Sequence, residues 1–149
     1  MNQEAISQIC FSQRFTVQPH QTAAALFAAM PFGARHASRM APVLGSAELL
    51  AQLESLCIDA LHLLVQWPQE RVLGTALKLE HRAAVQVGQT VQADGFVIGL
   101  GDHSATFCVR ARVDDQQVAE ATLTFVVVNA AWRPMATRGR RAVEAQVCA

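Results

Sequence analysis

Three polar residues of this chain stand in surroundings that invite chemistry. The first is Glu54. From Ser46 to about Gln66 the sequence has no proline or glycine, and its apolar residues recur at helical spacing. On a wheel of about 100° per residue, Glu48, Gln52, Ser55, Asp59, His62 and Gln66 form one polar arc roughly 80° wide. Glu54 falls almost opposite, among Ala47, Leu50, Ala51, Cys57, Ile58, Leu61 and Val65, which are expected to bury it. A buried carboxylate without a partner is costly or takes up a proton. Two readings are open: a carboxylate of raised basicity kept for proton transfer, or a structural glutamate held by a backbone or arginine partner, or exposed by a roll of the helix.

Ser46 lies eight residues before Glu54, about two turns up the same stripe, and follows Gly45. It can cap the helix, supply a hydroxyl to the same cavity, or do both. His81 closes a run, Leu73-Gly74-Thr75-Ala76-Leu77-Lys78-Leu79-Glu80-His81, that reads as a strand. Alternation puts Leu73, Thr75, Leu77, Leu79 and His81 on one face, so the imidazole ends an apolar row. It is either a general base or carbonyl donor, or a satisfied core histidine. Gly74, near the start of that strand, lets a ligand or a backbone approach closely.

The elements that must position these groups follow in a simple order. Residues 8–18 read as a first strand ended by Pro19. Residues 19–45 carry Pro19, Pro31, Gly33, Pro42 and Gly45, with room for a short helix over Thr22 to Met30. A stretch this long and irregular often serves function, as a lid for example. After the long helix, stopped by Trp67-Pro68, come strands over Val72–Ala83, Gln89–Leu100, Ser104–Val113 and Val118–Val128. The short gaps between the last three predict antiparallel hairpins. One helix against one antiparallel sheet is an α+β domain. It is expected to span residues 1–130. Residues 131–149, with Arg133, Arg138, Arg140 and Arg141, are expected to form a basic, partly ordered tail.

Composition narrows the function classes. The 149 residues fit one domain, and half of them are apolar. Charged residues make up only 16%, which hints at buried subunit surface. Twelve basic residues balance twelve acidic ones, so the basic excess of a nucleic-acid binder is missing. No apolar run reaches the ~18–20 residues of a membrane span, and the first residues lack a signal peptide's pattern, so a cytoplasmic protein is expected. Cys10, Cys57, Cys108 and Cys148 are scattered, and the five histidines have no partner at ligand spacing, which speaks against disulfides and metal. No nucleophile elbow, Walker loop or dinucleotide fingerprint is present.

Three segments resemble the hotdog-fold acyl-CoA thioesterases, and among them the fluoroacetyl-CoA thioesterase group. Val17-Gln18-Pro19-His20-Gln21-Thr22 is similar to that group's V-x-P-x-x-T opening. Val43-Leu44-Gly45-Ser46 followed by Leu53-Glu54 is similar to its helix, with a hydroxyl residue eight positions before a glutamate. Gly74-Thr75 through His81-Arg82-Ala83-Ala84 is similar to its G-[TS]-x(6)-H-x-A-[AS] strand. The resemblance covers roughly residues 12–128. It implies a sheet wrapped around one long central helix, a homodimer or a higher oligomer, and sites near the subunit interface. It implies a catalytic set of Ser46, Glu54 and His81. Gly74, Thr75, Met40, Arg82 and Phe125 are the expected substrate-contacting positions. No cofactor is implied beyond coenzyme A as part of the substrate, and no metal.

Two positions depart from the group. Its fluoroacetate enzyme has phenylalanines just before the helix, where this chain reads Arg35-His36-Ala37-Ser38-Arg39-Met40, with Phe32 further off. It also has an arginine on the last strand, where Phe125 stands here. A larger or more apolar acyl group than fluoroacetyl is the expectation. The reaction implied is hydrolysis of an acyl-CoA or acyl-carrier thioester, with Glu54 as base or nucleophile. A non-catalytic acyl-CoA binding module on the same fold is the alternative, and a hydratase or dehydratase ranks below it, since Glu54 and His81 sit on different elements.

Overall fold

Helix α3, Ser46–His62, is where the apolar spacing of the sequence becomes a core. In the computed structural model, which describes residues 2–131, its Leu49, Leu53, Cys57 and Leu61 have no exposed surface. Spaced by four, these residues form one stripe along the helix. The stripe lies on an antiparallel sheet of β1 (Cys10–Thr16), β2 (Glu70–His81), β3 (Thr90–Leu100), β4 (Ser104–Val113) and β5 (Gln116–Asn129), in the order β1-β3-β4-β5-β2. Two short helices, α1 (Gln3–Ser7) and α2 (Ala23–Ala28), precede α3. The α+β expectation is borne out: α3 packs on one face of the sheet, against β2 and β5.

Every strand pair is antiparallel. The β4–β5 hairpin turns at Asp114-Asp115, with Asp114 at φ 50°, a left-handed conformation that aspartate tolerates. Small residues (Ala93, Ala111, Ala119 and Ala121) line the buried face, so the helix can approach closely. Beside them the Phe107 and Phe125 rings meet edge to face, their centroids 5.9 Å apart. Phe107 is fully buried and also touches the Phe11 ring at 6.4 Å. Phe107→Ala is therefore expected to cost about 3–5 kcal/mol, read as a lower urea midpoint with an unchanged slope.

Several boundaries differ from the sequence expectation. Helix α3 ends at His62, not near Gln66; Leu63 at its C-cap is 85% exposed, while Leu64 packs against the core. The chain then turns through a cis Trp67–Pro68 bond, and Glu70 accepts a hydrogen bond from the Gln66 amide. Helix α1 was not expected. Its five residues bury only Ile6, and its visible signal is the Asn2 cap, whose side chain accepts from the Ala5 amide. The loop of residues 19–45 holds α2 and two 3-10 turns, Pro19–Gln21 and Ala34–Arg39. The arginine-bearing segment of residues 132–149 lies outside the described residues.

Candidate active site

Ser46 is the first helical residue of α3, and its side chain does not cap the helix; Gly45 stands at the cap. The freed hydroxyl lies 2.8 Å from His81 Nδ1 at the end of β2. The hydrogen bond joins two elements 35 residues apart in sequence and fixes the imidazole plane. The other ring nitrogen, Nε2, is shielded from solvent and has no hydrogen-bond partner. A buried polar atom without a partner costs about 1–3 kcal/mol, and such atoms call for an explanation beyond folding.

Glu54 sits elsewhere on the helix. The expectation that its neighbours bury it does not hold: Glu54 is half-buried. The core stripe of Leu49, Leu53, Cys57 and Leu61 is centred roughly 80° around the helix from it. Glu54 belongs to a second stripe with Ala47, Ala51 and Ile58, where both alanines are exposed. Its carboxylate is aimed at β2. A Cβ added to Gly74 would lie 2.6 Å from Glu54 Oε1, so a side chain there would push the carboxylate from its present seat. Three residues after Glu54, on the core stripe, burial pushes the Cys57 thiol up to about 12, with the Glu54 charge adding to the effect.

The strand beneath the carboxylate is irregular. Gly74 pairs with Phe125 and Ala76 with Thr124, so Thr75 is an extra residue, a β-bulge. The bulge overturns simple alternation. Leu73 pairs with Val126 and faces outward, while Gly74 joins Leu77, Leu79 and His81 on the face toward α3. Without the extra residue, Gly74 and His81 would point to opposite sides.

The three singled-out residues thus form two stations rather than one contact. Helix geometry separates Ser46 from Glu54 by about 12 Å along the axis. Strand geometry separates Gly74 from His81 by roughly 20 Å. Glu54 makes no hydrogen bond to Ser46 or His81. Gly74→Ala tests the Glu54 station. The edge strand there is exposed, so stability should stay within about 0.5 kcal/mol. Displacing the carboxylate by about an ångström should cut any turnover that depends on it ten- to a hundredfold.

The remaining positions divide. Met40 is half-buried and lines an open hollow of about 340 Å³ together with Ser46, His81, Arg82 and Val43. Arg82 is already engaged, 2.8 Å from Glu80 and 3.8 Å from Glu120. Arg82, and then Lys78, hold the Glu80 carboxyl below the usual carboxylate range. Thr75 is exposed, and its hydroxyl donates to the Thr124 carbonyl. Phe125 is core, with no surface open to a ligand; it is the β5 register partner of Gly74. Among the described residues no cluster of histidine, cysteine and carboxylate could hold a metal, and no helix is long and apolar enough to cross a membrane.

The sequence reading missed two hollows. One, of about 680 Å³, lies between α1, β1 and α3 and is lined by Ile9, Phe11, Leu56 and Leu63. It contains none of the three singled-out residues. The other, of about 520 Å³, is formed by Phe27, Met30, Pro31, Phe32, His36 and Met40. The signal for it was present as the apolar residues Phe27, Met30, Pro31 and Phe32, which straddle the end of the expected short helix over Thr22 to Met30.

A family model described as fluoroacetyl-CoA-specific thioesterase, FlK, matches residues 29–131. Among solved structures, one of the fluoroacetyl-CoA thioesterase FlK superposes with a TM-score of 0.72 at 24% identity, over 82% of this chain and 87% of that one. A point variant of FlK in complex with fluoroacetate and CoA gives 0.71 at 24%, over 80% and 92%. A hot-dog-like protein from Thermanaerovibrio acidaminovorans gives 0.70 at 14%, over 87% and 89%. These likenesses establish the hotdog fold. No curated protein sequence matches the chain.

Proposed function

Because this chain belongs to the fluoroacetyl-CoA-specific thioesterase family and is a thioester hydrolase, we propose that it hydrolyses an acyl-CoA thioester with Glu54, His81 and Ser46. The reaction is acyl-CoA plus water giving a carboxylate and the free thiol. Glu54 takes a proton from water as the oxygen attacks the thioester carbonyl. The carbon–sulfur bond breaks, and the thiol leaves with a proton that passes through His81. Ser46 holds the imidazole by its contact with Nδ1. Free backbone amides in the first turn of α3, or at the Thr75 bulge, face the developing oxyanion.

The observation that carries this reading is the seating of the Glu54 carboxylate against Gly74, with no hydrogen bond of its own, on the same sheet face as the Ser46–His81 pair. Two stations roughly 20 Å apart along β2 need a second copy to meet. Strand β2 is an edge strand, hydrogen-bonded on one side to β5, and a 12-residue open edge is a template for pairing. Two-fold antiparallel pairing of β2 with β2, centred near Leu77 and Lys78, sets Gly74 and Glu54 of one copy opposite His81 of the partner subunit. It would also cover Leu77, which is 42% exposed, and the stripe of Ala47, Ala51 and Ile58. The reading is therefore a homodimer with two sites, each built from both chains.

Free-thiol release from a panel of acyl-CoAs tests the activity. Turnover of at least one member is the expected result. Binding of CoA esters without thiol release from any of them would replace hydrolysis by the binding-module reading.

A further inference from the structure

Met40 belongs to two hollows at once. It lines the open hollow that holds Ser46 and His81, and it lines the apolar hollow of Phe27, Met30, Pro31, Phe32 and His36. The second hollow is about 520 Å³, within the usual range for a small-molecule site. Its walls are almost wholly hydrocarbon, yet it stands beside two polar groups fit for acyl transfer. It is also built with care. Gly33 is buried, and a Cβ there would lie 2.6 Å from the Phe27 ring. The wall extends into solvent through Met30, 41% exposed, and Phe32, 88% exposed, side chains whose apolar surface has no cover among the described residues.

We infer that this hollow receives the acyl chain of the substrate, entering past Met40, and that the enzyme prefers medium-length alkyl or aryl thioesters to two-carbon ones. The inference rests on the hydrolase reading above and names its substrate class. The occupant is fixed by continuity: a thioester whose carbonyl lies at the Ser46–His81 pair has Met40 beside it, and beyond Met40 a wall that is apolar apart from His36. A two-carbon acyl group would leave the hollow unfilled. Each methylene buried there is worth about fourfold in binding.

The test is kcat/KM for acetyl-, butyryl-, hexanoyl- and octanoyl-CoA with the dimerised full chain, and in parallel the binding of S-ethyl-CoA and S-octyl-CoA by calorimetry. Two variants accompany the wild type: Met40→Trp, which fills the passage, and Met30→Asp, which places a charge in the hollow at an exposed position. The octanoyl-to-acetyl ratio should be at least tenfold in the wild type and fall toward one in both variants. A flat or falling series, or a ratio that neither variant moves, overturns the inference. If no ester is hydrolysed but S-octyl-CoA binds tenfold tighter than S-ethyl-CoA, and the variants erase that difference, the acyl hollow stands and the hydrolase mechanism falls. Equal binding of the two thioethers with no hydrolysis removes both.

Discussion

Replacement of Glu54 by glutamine should lower kcat for thioester hydrolysis by about 10²–10⁴-fold, the usual contribution of a positioned general base. Glutamine keeps the shape of the side chain and its fit against Gly74 but cannot take a proton from water. The fold should be indifferent to the change. Glu54 makes no side-chain hydrogen bond, is half-buried, and lies off the stripe that forms the core. KM should move little, since the carboxylate acts on water rather than on the carrier. The measurement is thiol release under saturating ester, with urea unfolding of both proteins as the control. Glu54→Gln turnover within threefold of wild type, with the same unfolding midpoint, would remove the carboxylate from the mechanism.

Mixed dimers should recover what each parent variant loses. Glu54→Gln and His81→Asn are each expected to be nearly inactive as homodimers. Under the two-chain site proposed above, a heterodimer holds one site with both lesions and one with neither. The intact site takes Glu54 from the His81→Asn chain and the Ser46–His81 pair from the Glu54→Gln chain. Random pairing of equal amounts makes half the dimers mixed, so about a quarter of the wild-type activity should return. A site confined to one chain predicts no recovery, because every chain then carries a lesion. The distances favour recovery: about 12 Å of helix and roughly 20 Å of strand lie between the two stations within one chain.

Much of the fold was legible because its signals are local. The long helix was marked by apolar spacing and by the absence of proline and glycine, and four strands were marked by turn residues at their ends. Errors came where an element's extent depends on what it rests upon. Helix α3 stops at His62, where Leu63 turns out to solvent and Leu64 back to the core. Helix α1 exists because Ile6 finds a place in the core. The wheel singled out Glu54 by its apolar company but could not say which part of that company faces the sheet. The core took Leu49, Leu53, Cys57 and Leu61, and Glu54 was left at the margin.

Which residue types stand near one another can be read along the chain: a hydroxyl and a carboxylate two turns apart on one helix, a glycine and a histidine on the strand that follows. Those facts are set by helical and strand periodicity, which depend on the backbone alone. Tertiary structure decided which of them meet. The Ser46 hydroxyl reaches His81 Nδ1, not Glu54, because α3 lies antiparallel to β2. Glu54 reaches Gly74 because a bulge at Thr75 rotates that glycine inward. A bulge is a mismatch between two strands, and no single segment contains the information to place it.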